Sequence, residues 1–156
     1  MKKIGVVDTT FARVDMGKIC VDTLQKNTPE QIVIERVTVP GIKDLAVACK
    51  KLIEEKKCEI VLALGMPGPA PIDETCAHEA NLGLMWAQLL TNTHILGVFV
   101  HESEVKNDAE LKEVTFNRVS KHAQNALNMI FSPQALTQNA GKGKRQGYAD
   151  KPFIQV

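Results

Sequence analysis

The sequence predicts an α/β fold, a flavodoxin-like three-layer sandwich around a four-stranded parallel sheet of strand order 2-1-3-4. Three observations carry this prediction. Short apolar runs alternate with helical patterns four times, an order that calls for parallel strands joined by right-handed crossovers. The run Ile60 to Leu64 has the length and unbroken apolarity of a strand buried on both faces. It breaks at Gly65 into a loop whose three prolines, Pro67, Pro69 and Pro71, lack the amide donor that a ladder or helix interior needs. Asp73, Glu74 and Thr75 then open a helix, with carboxylates at the positive end of its dipole. A strand, a stiff Gly/Pro loop and an acidic helix start together describe the carboxyl edge of an α/β sheet, where such folds bind ligands.

Each element has its own local cause. Lys3 to Asp8 reads as the first strand, and Asp15 is placed to cap a helix in which Met16, Ile19, Cys20 and Leu24 recur at helical spacing. Gln31 to Val39 is rich in β-branched residues and is stopped by Pro40-Gly41. Ile42, Leu45, Ala46, Cys49, Leu52 and Ile53 line one face of a second helix. The third helix runs to about Leu90, with Cys76, Ala80, Gly83, Ala87 and Leu90 on one face. Its small residues suit close packing, including against another subunit. Ile95 to Val100 forms a fourth strand ending at His101-Glu102. The last helix spans Asp108 to Phe131, with Phe116, Val119, Ala123, Ala126, Leu127 and Ile130 as its apolar stripe, and Ser132-Pro133 stops it.

Composition bounds the function. The chain of 156 residues, 44% hydrophobic and 24% charged, suits one domain over residues 1–131, followed by an arm over residues 132–156. A formal charge of +1 gives no basic field for nucleic acid. No segment reaches the roughly 20 apolar residues that span a bilayer, and the start MKKIGVVDTT lacks the apolar length of a signal peptide, so the cytosol is expected. Cys20, Cys49, Cys58 and Cys76 form no CxxC pair and read as structural thiols. The histidines have no ligand spacing, and no metal site is expected from the residues. The arm contains the glycine-rich, basic run Ala140 to Gly147; it is either a solvated end or a segment that folds against a neighbouring subunit's site.

The four strand ends deliver candidate site residues to one edge. The first supplies Asp8, Thr9, Thr10 and Phe11; the second Val39, Pro40, Gly41, Ile42 and Lys43; the third Gly65, Met66, Pro67, Asp73 and Glu74; the fourth His101 and Glu102. One aromatic among hydroxyls and carboxylates suits a flat heterocycle with a hydroxylated side chain, since the ring stacks while polar groups grip the hydroxyls. Phe11 is equally readable as a core aromatic. His101 and Glu102 are the acid/base candidates, because histidine's reference pKa of about 6.5 suits proton transfer near neutral pH. Arg118, Lys121 and His122 lie within about one helical turn, as a cationic patch or a solvated face. Nucleotide readings fail: there is no Walker loop, no GxGxxG after the first strand and no nucleophile elbow. A receiver-type signalling domain would need a phosphorylatable Asp at the end of the third strand, where Leu64-Gly65 stands.

The order of pieces resembles the 6,7-dimethyl-8-ribityllumazine synthases in Thr10-Phe11-Ala12-Arg13, the Val39-Pro40-Gly41 turn, Leu64-Gly65 and the Asn81-Leu82-Gly83-Leu84 helix. That family's third loop ends in Thr-Pro-His with a catalytic histidine, and Ile72 stands at the matching position here. The chain is more similar to a sister group, the archaeal-type riboflavin synthases, over essentially its whole length. The resemblance lies in Val6 to Arg13, Gly65-Met66-Pro67-Gly68, Phe99-Val100-His101-Glu102 and Ala140 to Gly147. It implies a homopentamer with sites between subunits and a dismutation of 6,7-dimethyl-8-ribityllumazine to riboflavin and 5-amino-6-ribitylamino-2,4(1H,3H)-pyrimidinedione by four-carbon transfer. Phe11 would stack one ring, Val39 to Lys43 and Gly65 to Pro67 would edge the pyrimidine and ribityl chain, and His101 and Glu102 would handle protons. Arg118 or the basic arm would reach in from a neighbour, and His122 is counted with Arg118 among the substrate-binding residues. No organic cofactor is expected, and help from a divalent ion such as Mg2+ is left open. The rival expectations are 6,7-dimethyl-8-ribityllumazine synthase itself and a non-catalytic lumazine or flavin carrier.

Overall fold

In the computed structural model, which describes residues 1–156, the strands are β1 (Lys2–Thr9), β2 (Ile32–Val39), β3 (Ile60–Gly65) and β4 (Ile95–Phe99). They pair in parallel in the order β2-β1-β3-β4, as expected. Around them lie α1 (Met16–Asn27), α2 (Leu45–Glu54), α3 (Pro71–Thr91), α4 (Asp108–Phe131) and α5 (Pro133–Gln138). Side-chain alternation along the central strands splits the core in two. Ile4 and Val6 of β1 and Ile60, Leu62 and Leu64 of β3 pack with Met16, Cys20 and Leu24 of α1 and Val119, Ala123 and Leu127 of α4. Val7, Val61 and Ala63 face the other way, onto Leu45, Cys49 and Leu52 of α2 and Leu84 and Ala87 of α3. Every residue of β3 is buried, which is why its sequence shows no polar alternation.

The helix starts follow local chemistry. Asp15 Oδ1 accepts from the Lys18 amide at 3.0 Å, the cap expected for α1. Asn107 Oδ1 does the same for α4, accepting from the Glu110 amide at 2.9 Å. Burial pushes the Cys20 and Cys49 thiols up to about 12 and Cys58 up to about 11, so these are inert core groups. No helix is long and apolar enough to cross a membrane.

Four expectations need correction. The inward face of α3 is Ala77, Ala80, Leu84 and Ala87; Leu90 is exposed, and Cys76 and Gly83 are only half-buried or partly covered. Phe116 is exposed rather than on the α4 stripe, which instead runs through Leu111, Thr115, Arg118, Val119, Ala123, Ala126 and Leu127. Ile42 belongs to a short 3-10 turn, Ile42–Asp44, ahead of α2. Pro133 ends α4 but also begins α5, where a proline's missing amide costs nothing at the first helical position.

Candidate active site

Beyond the sheet proper, the strand ends keep pairing. The Thr10 amide donates to the Val39 carbonyl at 2.9 Å, Val100 to Gly65 at 2.9 Å and Glu102 to Pro67 at 3.1 Å. The loops at the carboxyl edge are thereby tied together as an extension of the sheet. A shared device starts the turn that follows three of them. A carboxylate three residues downstream accepts the backbone amide: Asp44 from Gly41 at 3.2 Å, Asp73 from Ala70 at 3.1 Å and Glu104 from His101 at 2.8 Å.

Between the loops lies a cleft of about 270 Å³ lined by Phe11, Gly41, Ile42, Lys43, Asp44, Pro67, Gly68, Asp73 and Cys76. Larger concavities occur between α1 and α4 (about 530 Å³) and beside α4, α5 and the arm (about 560 Å³). Neither draws on the loops after β2 and β3, so the smaller cleft is the one at the ligand edge of the fold. Phe11 is 58% exposed on its rim and is not a core residue. Thr10 Oγ1 donates to the Pro40 carbonyl at 3.3 Å, fastening the first loop to the second. Thr9 is buried, and its Oγ1 accepts from the Ala12 amide at 3.3 Å. Gly41, Ile42 and Lys43 form the cleft's second wall, whereas half-buried Val39 and exposed Pro40 precede it and do not line it. Glu79 binds Lys43 at 3.1 Å and pushes its pKa up, keeping it charged.

Several expected site residues have structural partners instead of a free face. Asp8 is buried; Oδ2 accepts from Arg36 at 2.6 Å and Oδ1 from Thr38 at 2.6 Å. A Cβ at Gly17 would collide with this pair, so glycine is required where α1 crosses it. The Met66 side chain is in the core, leaving only its backbone for a ligand. Gly65 and Pro67 are buried in the loop wall, and a side chain at Gly68 would displace the Asp73 carboxylate. Glu74 accepts from Ser103 Oγ at 3.2 Å, joining the α3 start to the loop after β4.

His101 sits half-buried at the head of the 3-10 turn Glu102–Glu104, its amide committed to Glu104. Glu102 binds Arg13 at 2.7 Å, and Arg13 also binds Asp108 at 2.8 Å, clamping the loop after β1 to the one after β4. Arg118 is buried and fully occupied. Its guanidinium reaches both Glu104 oxygens at 2.8 and 2.9 Å, the Phe99 carbonyl at 3.0 Å and the Gln146 carbonyl at 3.3 Å. Burial would raise the Glu104 pKa, but Arg118, the Tyr148 hydroxyl and the His101 amide outweigh it and hold the carboxyl at about 2. His122 is pushed down to about 4, first by burial and then by the Arg118 charge, and is neutral near pH 7. It lines the concavity beside the arm with Lys121, Lys144 and Arg145, not the cleft of its own chain.

Sequence reasoning passed over Glu104, Tyr148, Arg13 and Arg36. For Glu104 a signal existed, a carboxylate three residues after the residue that leads into the turn, as at Asp44 after Gly41 and Asp73 after Ala70. The other three are joined across long sequence separations that no local pattern reports. No group of three or more His, Cys, Asp or Glu residues is arranged to hold a metal ion.

Comparison with known proteins shows the family. The model of the 6,7-dimethyl-8-ribityllumazine synthase family matches residues 1–134. A riboflavin synthase of Methanothermobacter thermautotrophicus is 59% identical over 150 residues, covering 96% of this chain and 97% of that protein. Riboflavin synthases of Archaeoglobus fulgidus, 47% identical over 95% of each chain, and Aeropyrum pernix, 41% identical over 96% of each, are also similar. A solved lipase/acylhydrolase from Enterococcus faecalis aligns at 14% identity over 99% of this chain and 88% of its own, with a TM-score of 0.42. With a family model over most of its length and relatives of this identity across nearly all of it, the chain belongs to the archaeal-type riboflavin synthases of the 6,7-dimethyl-8-ribityllumazine synthase family.

Proposed function

We propose that the protein is a riboflavin synthase that converts two molecules of 6,7-dimethyl-8-ribityllumazine into riboflavin and 5-amino-6-ribitylamino-2,4(1H,3H)-pyrimidinedione. The 59% identity to a riboflavin synthase over nearly the full length of both chains carries this reading. One ring gains the four carbons that the other loses, so no water, oxidant or reductant is consumed, and no organic cofactor or metal is assigned a step. The methyl at C7 is acidic for a C–H because the charge left behind spreads over the heterocycle. The protein's task is to hold two rings face to face and remove that proton. Phe11 supplies an exposed ring for stacking, the Val39–Lys43 and Gly65–Pro67 walls edge the substrate, and His101 takes the proton. Glu102, paired with Arg13, orients the loop that carries His101.

The active unit is a homopentamer with sites between subunits. The cleft of about 270 Å³ falls at or below the roughly 300–1,000 Å³ usual for one small ligand, so two lumazines need walls from a second copy. The outward face of α3 exposes Leu82, Met85, Trp86, Leu89 and Leu90, with Leu89 81% exposed. A contiguous apolar face of this kind marks a protein contact. The work is placed in the cytosol, where four unpaired cysteines stay reduced.

Incubation with 6,7-dimethyl-8-ribityllumazine alone, followed by detection of riboflavin, tests the reaction; no riboflavin would overturn it. The alternative, synthesis of the lumazine itself, is disfavoured by Ile72, exposed at the α3 start, which stands at the position where the lumazine synthases carry a catalytic histidine. A lumazine or flavin carrier would bind and never turn over.

A further inference from the structure

The arm after α5 is a closed loop seated on its own chain. The Lys151 amide donates to the Gly143 carbonyl at 2.9 Å, and Asp150 Oδ1 accepts from the Arg145 amide at 3.0 Å. The loop is fastened to α4 at three successive residues. Lys121 Nζ donates to the Arg145 carbonyl at 3.1 Å, Arg118 Nε to Gln146, and the Gly147 amide to Asn117 Oδ1 at 2.8 Å. Gly147 has φ of +88°, and a Cβ there would strike the Arg118 guanidinium, so glycine is doubly required. This sets two guanidinium groups over the Tyr148 ring, Arg118 at 5.0 Å and Arg145 at 4.7 Å from its centre. Its hydroxyl donates to Glu104 Oε1.

Glu104 thus receives four donors from three segments: two from Arg118, one from Tyr148 and the backbone amide of His101. Arg118 also binds the carbonyl of Phe99, the last residue of β4. Phe99 and His101 flank the point where the chain leaves the sheet, and both are held by the same ion pair. We propose that Tyr148 is a positioning residue: through Glu104 and Arg118 it fixes the backbone at His101, making the C-terminal arm part of the site. The proposal rests on the functional reading above for its catalytic consequence, but not for its structural one. Arm and site are one mechanical unit, because the carboxylate that completes the arm's docking also sets the His101 amide.

Tyr148→Phe in the full-length protein tests this with little risk to folding, since the ring keeps its contacts with both arginines and only the hydroxyl is lost. Hydrogen exchange of a peptide spanning residues 99–105 should quicken on the order of tenfold at the His101 amide, as expected for losing a charge-assisted bond in a tight network. The rate kcat for riboflavin formation should fall by a similar factor, with KM within about twofold, because geometry rather than binding surface is lost. Gly147→Ala, which displaces the loop from Arg118, should do the same more strongly. Unchanged exchange at residues 99–105 in both variants would overturn the proposal, as would quickened exchange with wild-type kcat. Should the unmodified protein make no riboflavin, the functional reading fails by itself. The exchange comparison then still decides whether Tyr148 holds His101.

Discussion

Replacing Glu104 with Gln isolates the charge at the centre of the arm–site network. Gln keeps an oxygen for the His101 amide but leaves Arg118, whose side chain is 9% exposed, facing a neutral partner. The carboxyl lies at about 2 instead of its ordinary 4.5. At ~1.4 kcal/mol per pH unit that difference corresponds to about 3 kcal/mol. Glu104 is itself 19% exposed, and solvent screening reduces the figure to about 2 kcal/mol at neutral pH. For a chain of this size each kcal/mol moves Tm by about 2–4 °C, so Glu104→Gln should melt about 4–8 °C lower at pH 7, at fixed subunit concentration. The sign with pH follows from the depressed value. The stabilisation is complete above the unfolded pKa near 4.5 and is lost as pH falls through about 2. The Tm difference between wild type and Glu104→Gln should therefore shrink to under half by pH 3. A difference below about 1 °C at pH 7, or one undiminished at pH 3, would refute the assignment of that stability to this ion pair.

Other perturbations separate the site from its scaffold. His122, held at about 4 by burial and Arg118, resists protonation in the fold but not in the unfolded chain, so stability should fall as pH drops from about 6.5 to about 4. His122→Gln should flatten a Tm–pH profile in that window, and an unchanged slope would show that another group controls it. Phe11→Ala should leave Tm within about 1 °C, because the ring is largely exposed, yet raise KM for the lumazine about tenfold through lost stacking. Steady-state kinetics with a KM within twofold of wild type would remove Phe11 from the site. Trp86→Glu together with Leu89→Glu should split the assembly in sedimentation, since both side chains lie on the exposed apolar face of α3; an intact oligomer would place the subunit contact elsewhere.

The sheet was readable from the sequence because its strands show as apolar or β-branched runs, and β2 and β3 are stopped by Pro40-Gly41 and by the Gly/Pro loop. β3 shows this most clearly, with buried Ile60–Gly65 followed by prolines. The phase of α3 was not readable. Alanines, glycine and large apolar residues surround that helix on nearly every side, so periodicity cannot say which face meets the sheet. The inward face proved to be the one whose alanines let the helix lie close, and the bulkier residues remained outside. Asp8 was legible as a strand-end carboxylate but not as a satisfied one, because its partners Arg36 and Thr38 come from β2. Tyr148 and Glu104 are separated by 44 positions, and nothing in either segment's composition signals their bond.

What the edge of this sheet leaves uncommitted is as informative as what it holds. Asp8, Asp73, Glu74, Glu102, Glu104 and Arg118 all spend hydrogen bonds within the chain, fixing strands, turns and loops to one another. The exposed Phe11 ring and the loop backbone at Gly41, Pro67 and Gly68 line the cleft, and His101 lies outside its lining. Such a site is poor in free charge and rich in fixed geometry. It would serve badly for a reaction needing several acids and bases at once, as condensation with a phosphorylated ketone does. It suits a reaction in which the heterocycles carry their own electron sink and the protein supplies stacking, alignment and one modest base. The polar residues at the edge are then the means by which that alignment is held. Their removal should depress kcat well before it weakens binding.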